Sequence, residues 1–267
     1  MRNFKKIIEH IENRVLIRKL AKYCIAILYK IYNSNFLKVI FNITSKKRRK
    51  IKQFEQKLKL IDNNFFKIAN YYLPVFNNLN ADSNFLSFGV GADVEFEFSV
   101  FKKYNTKSFC FDPTPRSQQF IKELNENFIS YFPIGLSENG GKLTFYQTKP
   151  YSDYTLIKPK IFWDKFEAAC LSIDEILNKL QVNYIDLIKL DIEGSAMGSI
   201  YHLCSKPNRF GILIAELELM DGDVKKFLKE VMQLLNLVNN NGYNIYRLPK
   251  ENSNYKSIEI IILNKDI

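Results

Sequence analysis

The sequence has little of what metal centres and disulfide frameworks require. Its 267 residues include only two histidines, His10 and His202, which leaves no room for a histidine-rich metal centre. The cysteines are scattered without Cys-x-x-Cys spacing: Cys24, Cys110, Cys170 and Cys204. This spacing argues against a disulfide framework or a structural zinc site and fits a reducing compartment. Hydrophobic residues make up 46% of the chain and aromatic residues 14%, which is enough to bury a sizeable core.

Glycine and proline are both absent from the first 73 residues, since Pro74 and Gly89 are the first of each. Such a long stretch without helix breakers predicts helical structure. Apolar residues recur there at helical spacing, for example Phe4, Ile7, Ile8, Ile11 and Val15. We therefore predict a basic amphipathic helical extension over residues 1–55, followed by a helix over residues 56–80 that leads into the core.

Positive charge is concentrated in the N-terminal fifth of the chain. Residues 1–60 hold 17 Lys and Arg against three acidic residues, whereas residues 61–267 hold 22 against 25. Uncharged runs in the basic segment reach only seven residues, and a membrane-spanning helix needs about 20 apolar residues. The segment either contacts an anionic membrane surface, packs on the body of the protein or binds nucleic acid. We favour the membrane, which predicts a cytoplasmic protein held peripherally at the inner face of the cell membrane, and we do not expect nucleic acid as a partner.

From residue 81 to residue 267 the pattern changes to strands alternating with helices of 10–15 residues. This alternation predicts an α/β domain with parallel strands, right-handed crossovers and helices on both faces of the sheet. The two last strands, Gly242–Leu248 and Ser257–Asn264, have no helix between them and are expected to form an antiparallel hairpin. Residues 142–161 are expected to form an inserted hairpin or an irregular excursion. Ligands of such sheets bind beyond the carboxyl ends of the strands, where the residues discussed next are placed.

A glycine turn, Gly89 to Asp93 (GVGAD), follows the first of these strands. Glycines allow a sharp turn and the close approach of a ligand, and the next helix offers free N–H groups. Val94 stands where the dinucleotide fingerprint has its third glycine, and the GK[ST] tail of Walker A is absent. Asp93 is expected to cap the helix, and its carboxylate suits an amino-bearing or cationic ligand better than a pyrophosphate.

The next strand ends at Asp112-Pro113, and Asp112 lies 21 residues after Gly91. A carboxylate at this point can accept two hydrogen bonds from ribose hydroxyls, as it does in enzymes that bind NAD or S-adenosylmethionine. The alternative is a turn aspartate before a proline. The pairing with the glycine turn favours the ribose role.

Charged residues interrupt two neighbouring strands. Lys189 and Asp191 share one strand face, Glu193 follows, and Glu216 and Glu218 repeat the pattern on the next strand. Buried charges must be paired or functional, and one account is an ion pair between Lys189 and Glu216. Alternatively, the acidic groups orient a sulfonium or a substrate hydroxyl, or hold Mg²⁺ or Ca²⁺.

Three segments together resemble the FkbM-type S-adenosylmethionine-dependent methyltransferases: Ser87–Glu97 (SFGVGADVEFE), Phe111–Pro115 (FDPTP) and Asp186–Gly194 (DLIKLDIEG). The resemblance covers about residues 81–265. It implies the Rossmann-like class I methyltransferase fold, with a seven-stranded sheet whose last strand is antiparallel. It also implies methyl transfer, usually to an oxygen of a sugar or a natural product.

The resemblance assigns S-adenosyl-L-methionine as the cofactor and implies which residues bind it. Gly89, Gly91 and Asp93 would line its methionine end, and Asp112 would hold the ribose with Pro113 beside it. The protein would then be an O-methyltransferase that acts on a hydroxyl of a small molecule, a sugar, a glycan or a lipid-linked saccharide.

For catalysis, Asp191 is our first candidate to take the hydroxyl proton and Glu193 the second, with Lys189 as an orienting charge and no metal ligand assigned. Two departures from the family pattern bear on this assignment. Gly194-Ser195-Ala196 stands where Gly-Ala-Glu is common, and Glu216-Leu217-Glu218 stands where Glu-x-His is common.

Two other functions compete with this reading. The basic N-terminal segment would suit an RNA-binding protein or an RNA methyltransferase, but residues 61–267 are net acidic and lack an Asn/Asp-Pro-Pro-aromatic motif. The second competing function is that of a nicotinamide-dependent oxidoreductase. The missing third glycine of the dinucleotide fingerprint argues against it.

Overall fold

The structure, a computed structural model, describes the following residues: 46, 48–149, 152–194, 196–219, 223–249 and 257–266. The chain divides into two compact units, residues 1–50 and residues 51–267. Most of the predicted basic extension lies outside the described residues, so its amphipathic helix stays a prediction. In the part that is described, none of the helices is long and apolar enough to cross a bilayer.

The second unit contains fourteen described strands and five described helices of eight residues or more. In chain order, the strands are β1 (Lys59–Leu60), β2 (Phe65–Ile68), β3 (Tyr71–Pro74), β4 (Phe85–Phe88), β5 (Ser108–Phe111), β6 (Ile129–Phe132), β7 (Gly135–Leu136), β8 (Gly141–Gln147), β9 (Tyr154–Thr155), β10 (Asp164–Leu171), β11 (Ile185–Leu190), β12 (Phe210–Glu218), β13 (Tyr243–Arg247) and β14 (Ser257–Asn264). The helices are α1 (Glu95–Tyr104), α2 (Pro115–Leu124), α3 (Ile173–Leu180), α4 (Ala196–Cys204) and α5 (Val224–Asn240).

A mostly parallel sheet forms the centre of this unit. Within the described ranges its strand order is β1-β13-β14-β12-β11-β4-β5-β6. The last strand, β14, is antiparallel to both of its neighbours, as predicted, and the other pairs are parallel. Among the described residues the sheet has eight strands where seven were predicted, because Lys59–Leu60 adds a two-residue edge strand beside β13.

The prediction of a helix over residues 56–80 is wrong. This region contains β1 and the hairpin that β2 and β3 form. The hairpin turns without glycine, since Ala69 itself adopts a left-handed φ of 49°. Its Leu73 is fully buried against the central sheet. The absence of glycine and proline therefore did not indicate a helix here, because tertiary packing decided the local structure. The compact unit begins at residue 51, 30 residues before the predicted start of the domain at residue 81.

The two faces of the central sheet pack against different elements. Leu187 of β11 belongs to a core that also includes Leu73 and Phe96, from the hairpin and α1. Its neighbour Ile188 belongs to the larger core on the other face, which includes residues of α3, α4 and α5 such as Leu234. This alternation places Lys189 and Asp191 on the face of Leu187, the side covered by α1 and the hairpin.

A second sheet is inserted between β6 and α3, with strand order β7-β10-β8-β9. Strands β8 and β9 lie in the region where a hairpin or an irregular excursion was predicted. Strand β10 was missed because most of its side chains are exposed or half-buried, so its sequence has no clear apolar face.

Candidate functional site

A cleft of about 890 Å³ lies at the carboxyl ends of β4, β5, β11 and β12. This is the edge where parallel α/β sheets bind ligands. Seven of the eight residues predicted to form the site line it: Gly89, Gly91, Asp93, Asp112, Pro113, Asp191 and Glu193. These seven residues come from three strand ends, and Glu216 and Glu218 at the end of β12 add a fourth.

The glycine turn lies against the end of β11. A Cβ atom on Gly89 would lie 1.8 Å from the backbone oxygen of Asp191, so no other residue fits at this position. Gly91 has open space around its α-carbon and a φ of 60°, a conformation that suits glycine. The turn thus keeps its backbone close to β11 and leaves room above Gly91 for a ligand.

Asp112 is buried and orders the glycine turn. One carboxylate oxygen, Oδ2, accepts the N–H of Gly91 at 2.9 Å, and the other, Oδ1, accepts the N–H of Thr114 at 2.8 Å. The hydroxyl of Tyr131 donates to the backbone oxygen of Asp112 at 2.5 Å. An ionised carboxylate has about four acceptor positions, so each oxygen retains capacity for one more donor. Two adjacent hydroxyl groups of a ligand match this capacity.

Asp93 is exposed in the cleft and does not occupy the N-cap position that was predicted for it. Val94 is the N-cap of α1, and Asp93 lies one residue earlier, where its Oδ1 accepts the N–H of Glu95 at 2.9 Å. The prediction was one residue out because α1 begins at Glu95. The carboxylate remains accessible to a positively charged group in the cleft.

Lys189 is the one predicted site residue that does not line the cleft. Its side chain is buried, and its Nζ lies 3.4 Å from Oε1 of Glu97 on α1. The predicted pair with Glu216 is wrong, because the register places Lys189 beside Ile214 of β12. Burial alone would lower the pKa of Lys189, but Glu97 and Asp191 hold it above its ordinary value. Lys189 therefore stays charged beneath the cleft and connects β11 to α1.

Tyr71 of β3 is a site residue that was not predicted from the sequence. Its hydroxyl donates to Oδ2 of Asp191 at 3.0 Å, and its ring centroid lies 5.4 Å from Nζ of Lys189. Burial and the neighbouring Asp191 raise the pKa of Tyr71, so the hydroxyl keeps its proton and remains a donor. No signal in the sequence could pair residues 71 and 191, which are 120 positions apart.

Carboxylates form one wall of the cleft: Asp153, Asp191, Glu193, Glu216 and Glu218. Burial, together with Asp153, Glu216 and Asp191, raises the pKa of Glu193 to about 7. Burial and the same group of acids raise the pKa of Glu218 to about 7 as well. No three His, Cys, Asp or Glu side chains within the described ranges are arranged to hold a metal ion. Carboxyl groups that titrate near neutral pH are suited to accept a proton from a substrate.

Solved methyltransferase structures resemble this chain at low identity. The METTL16 methyltransferase domain is 8% identical with a TM-score of 0.41, and the match covers 68% of this chain and 60% of that one, less than two thirds of its length. A putative methyltransferase from Streptococcus mutans, SMU.1697c, was solved in complex with SAH. It is 10% identical with a TM-score of 0.40, and the match covers 69% of this chain and 90% of that one. The Methanococcus jannaschii fibrillarin pre-rRNA processing protein is 12% identical with a TM-score of 0.44, and the match covers 78% of this chain and 85% of that one.

The sequence also matches a family model, which carries the description Methyltransferase FkbM domain, over residues 74–245. No curated protein sequence matches the chain significantly. The family match includes the glycine turn, Asp112 and the acidic strand ends, and it extends over more than half of the 267 residues. The resemblance noted from the sequence is thereby confirmed, and the chain belongs to the FkbM family of S-adenosylmethionine-dependent methyltransferases.

Proposed function

We propose that this protein transfers a methyl group to a hydroxyl of a sugar, a glycan or a lipid-linked saccharide. The observation that carries the proposal is a carboxyl group of raised pKa, Glu193, in the same cleft as the glycine turn and Asp112. Transfer to a hydroxyl oxygen requires that the oxygen lose its proton, and a base with a pKa near the operating pH is well suited to take it.

The residues of the cleft fit S-adenosyl-L-methionine. Asp112 has two free acceptor positions for the ribose hydroxyls, and Gly91 leaves open space beside it. The exposed carboxylate of Asp93 suits the amino group of the methionine end. When bound, S-adenosyl-L-methionine supplies a methyl group that its sulfonium has already activated.

The remaining task of the protein is to orient the acceptor hydroxyl and remove its proton. Of the two candidate bases, Glu193 is favoured, because its pKa of about 7 lies close to the operating pH. Asp191 is fixed by the hydroxyl of Tyr71 and has the buried cation of Lys189 nearby, which suits it to orient a hydroxyl. The proton of the acceptor hydroxyl moves to the carboxylate of Glu193.

The rate of methyl transfer should depend on pH in a defined direction. Glu193 can accept a proton only when ionised, so the rate should rise with pH and level off above about 7. Below that value, the rate should fall by about tenfold per pH unit as the carboxylate is protonated. Single-turnover rates measured across this range test the expectation. A rate that stays constant through the same pH range would contradict a carboxylate base.

Replacing Tyr71 with phenylalanine removes the hydroxyl that orients Asp191 and keeps the ring. We expect Y71F to lower kcat by about three- to tenfold, the loss of about one hydrogen bond, without changing the affinity for the methyl donor. Tyr72→Phe is the matched control, since Tyr72 lies next to it in β3. Equal rates for Y71F and the wild type would show that the contact to Asp191 has no part in catalysis.

An RNA acceptor is the alternative that the basic N-terminal segment raises. The acidic wall of the cleft argues against it, because an RNA acceptor would have to bring its own phosphates into the cleft, beside these carboxylates. Incubation with a labelled methyl donor and a cell-envelope extract separates the two acceptors. Our proposal predicts label in a saccharide fraction that survives nuclease treatment, and label in nuclease-sensitive material would overturn it.

The basic segment also supports the proposal that the protein works at the inner face of the cell membrane. Residues 1–60 hold 17 Lys and Arg, and anionic headgroups attract such clusters within about a Debye length. Binding to anionic vesicles that weakens as salt is added is the expected behaviour. Binding that is indifferent to salt would argue against an electrostatic role for the segment.

A further inference from the structure

The loop between β9 and β10, residues 156–163, exposes several large apolar side chains. Ile161 is 83% exposed and Trp163 is 69% exposed, and Ile157 and Phe162 are exposed as well. Single exposed apolar residues are common on protein surfaces, but four of them within seven residues indicate an interaction surface. We refer to residues 156–163 as the apolar loop.

Lysines accompany these apolar side chains. Lys158 and Lys160 lie within the apolar loop and are exposed, and Lys165 follows it with its Nζ 6.0 Å from the ring centroid of Phe162. Tryptophan at the boundary between water and hydrocarbon, with lysines that reach the headgroups, is the composition of segments that bind at a membrane interface. The positive charges suit an anionic lipid surface in particular.

The apolar loop also lies at the rim of the functional cleft. Trp163 lines the cleft itself, and Ile157 lines a second cavity of about 430 Å³. The two cavities share Ile192, Glu216 and Glu218, so they are adjacent. A surface that covers the apolar loop would therefore lie next to the openings through which an acceptor reaches the carboxylates.

We propose that the apolar loop docks the protein on an anionic lipid bilayer, with Ile161 and Trp163 in the interface and Lys158 and Lys160 at the headgroups. A soluble saccharide stacked on Trp163 would not account for Ile161, which lines neither cavity. This contact is distinct from any made by residues 1–55. Docking does not depend on methyl transfer, so it can fail while the proposed function stands, and the reverse also holds.

Trp163 provides a direct test, because it is the only tryptophan in the chain. The full-length protein is titrated with vesicles of phosphatidylcholine and phosphatidylglycerol and with vesicles of phosphatidylcholine alone. We expect a shift of the emission to shorter wavelength with the anionic vesicles only, and quenching when the acyl chains are brominated. Vesicles that sediment the protein without changing the emission would overturn the proposal, because binding would then not involve Trp163.

Variants that retain Trp163 sharpen the test. Ile161→Ser should lower the vesicle partition coefficient by about tenfold, the amount expected when one aliphatic side chain is no longer buried. Phe76→Ser is the matched control, because Phe76 is 79% exposed and lies outside the apolar loop. It should bind vesicles like the wild type. Lys158→Gln combined with Lys160→Gln should reduce the preference for anionic lipid.

Three further outcomes would overturn the proposal. Equal losses for Ile161→Ser and Phe76→Ser would show that the apolar loop has no special role. The same emission shift on adding a soluble saccharide without vesicles would assign Trp163 to saccharide binding. An emission shift that follows protein concentration without vesicles would assign the apolar loop to contact between copies of the chain.

Discussion

Asp112→Asn is expected to weaken the binding of S-adenosyl-L-methionine by about ten- to 100-fold. The asparagine side chain has one acceptor oxygen with two acceptor positions, so it cannot accept from the N–H groups of Gly91 and Thr114 and also from both ribose hydroxyls. Hydrogen bonds to a charged group contribute about 1.5–3 kcal/mol each, which corresponds to this range of affinity. Calorimetric titration with the methyl donor measures the change.

Asp82→Asn is a suitable control, because Asp82 is exposed and is not among the residues that line the cleft. Thermal unfolding of both variants checks that the fold is retained. A folded Asp112→Asn protein that binds S-adenosyl-L-methionine as tightly as the wild type would contradict the ribose assignment.

Glu193→Gln should lower kcat by about 10²- to 10⁴-fold, the range that a positioned general base contributes. Glutamine keeps the shape of the side chain but cannot take the proton of the acceptor hydroxyl. The affinity for the methyl donor should change little, since Asp112 and the glycine turn remain intact. The dependence of the residual rate on pH should also flatten, because the group that titrates at about 7 has been removed.

Two comparisons locate the base among the carboxylates of the cleft. Asp191→Asn should lower kcat by less than Glu193→Gln does, because Asp191 orients the acceptor hydroxyl in our account and does not take its proton. Glu123→Gln on α2 should leave kcat unchanged, since Glu123 is exposed and its Oε1 accepts a hydrogen bond from Gln119. An unchanged rate for Glu193→Gln would contradict the assignment and leave Glu218, whose pKa is also raised to about 7, as the base.

Local patterns predicted much of the sheet and its helices. The Ser-x-x-Glu pattern of Ser172 and Glu175 is typical of a capping box and indicates the start of α3, and the structure contains both hydrogen bonds of the box. The antiparallel last strand followed from the missing helix before β14. Such signals lie within a few residues of the element that they specify, so one sequence is enough to find them.

The sequence also predicted most of the site, because parallel strands bring their carboxyl ends to one edge of the sheet. Once the strand ends at Gly89, Asp112 and Asp191 were recognised, their shared cleft followed from the topology. The position of Lys189 could not be predicted in this way. Its partner Glu97 depends on how α1 packs on the sheet, and that packing is decided by contacts 92 residues apart in sequence.

The failures between residues 56 and 80 have the same physical origin. The turn of this hairpin is Ala69-Asn70, and the alanine accepts a left-handed φ, which normally favours glycine or asparagine, because β2 and β3 are held by the core around Leu73. Tyr71 could not be assigned to the site until this hairpin was known. Residues that contact the site from outside the family motifs are therefore the hardest to predict.

A crystal structure of the protein with S-adenosylhomocysteine is the most direct test of the central claim. The account predicts that the ribose hydroxyls lie within hydrogen-bonding distance of the Asp112 carboxylate, with the methionine end beside Gly89 and Asp93. A complex in which the nucleoside binds elsewhere, or in which side chains fill the space above Gly91, would contradict it.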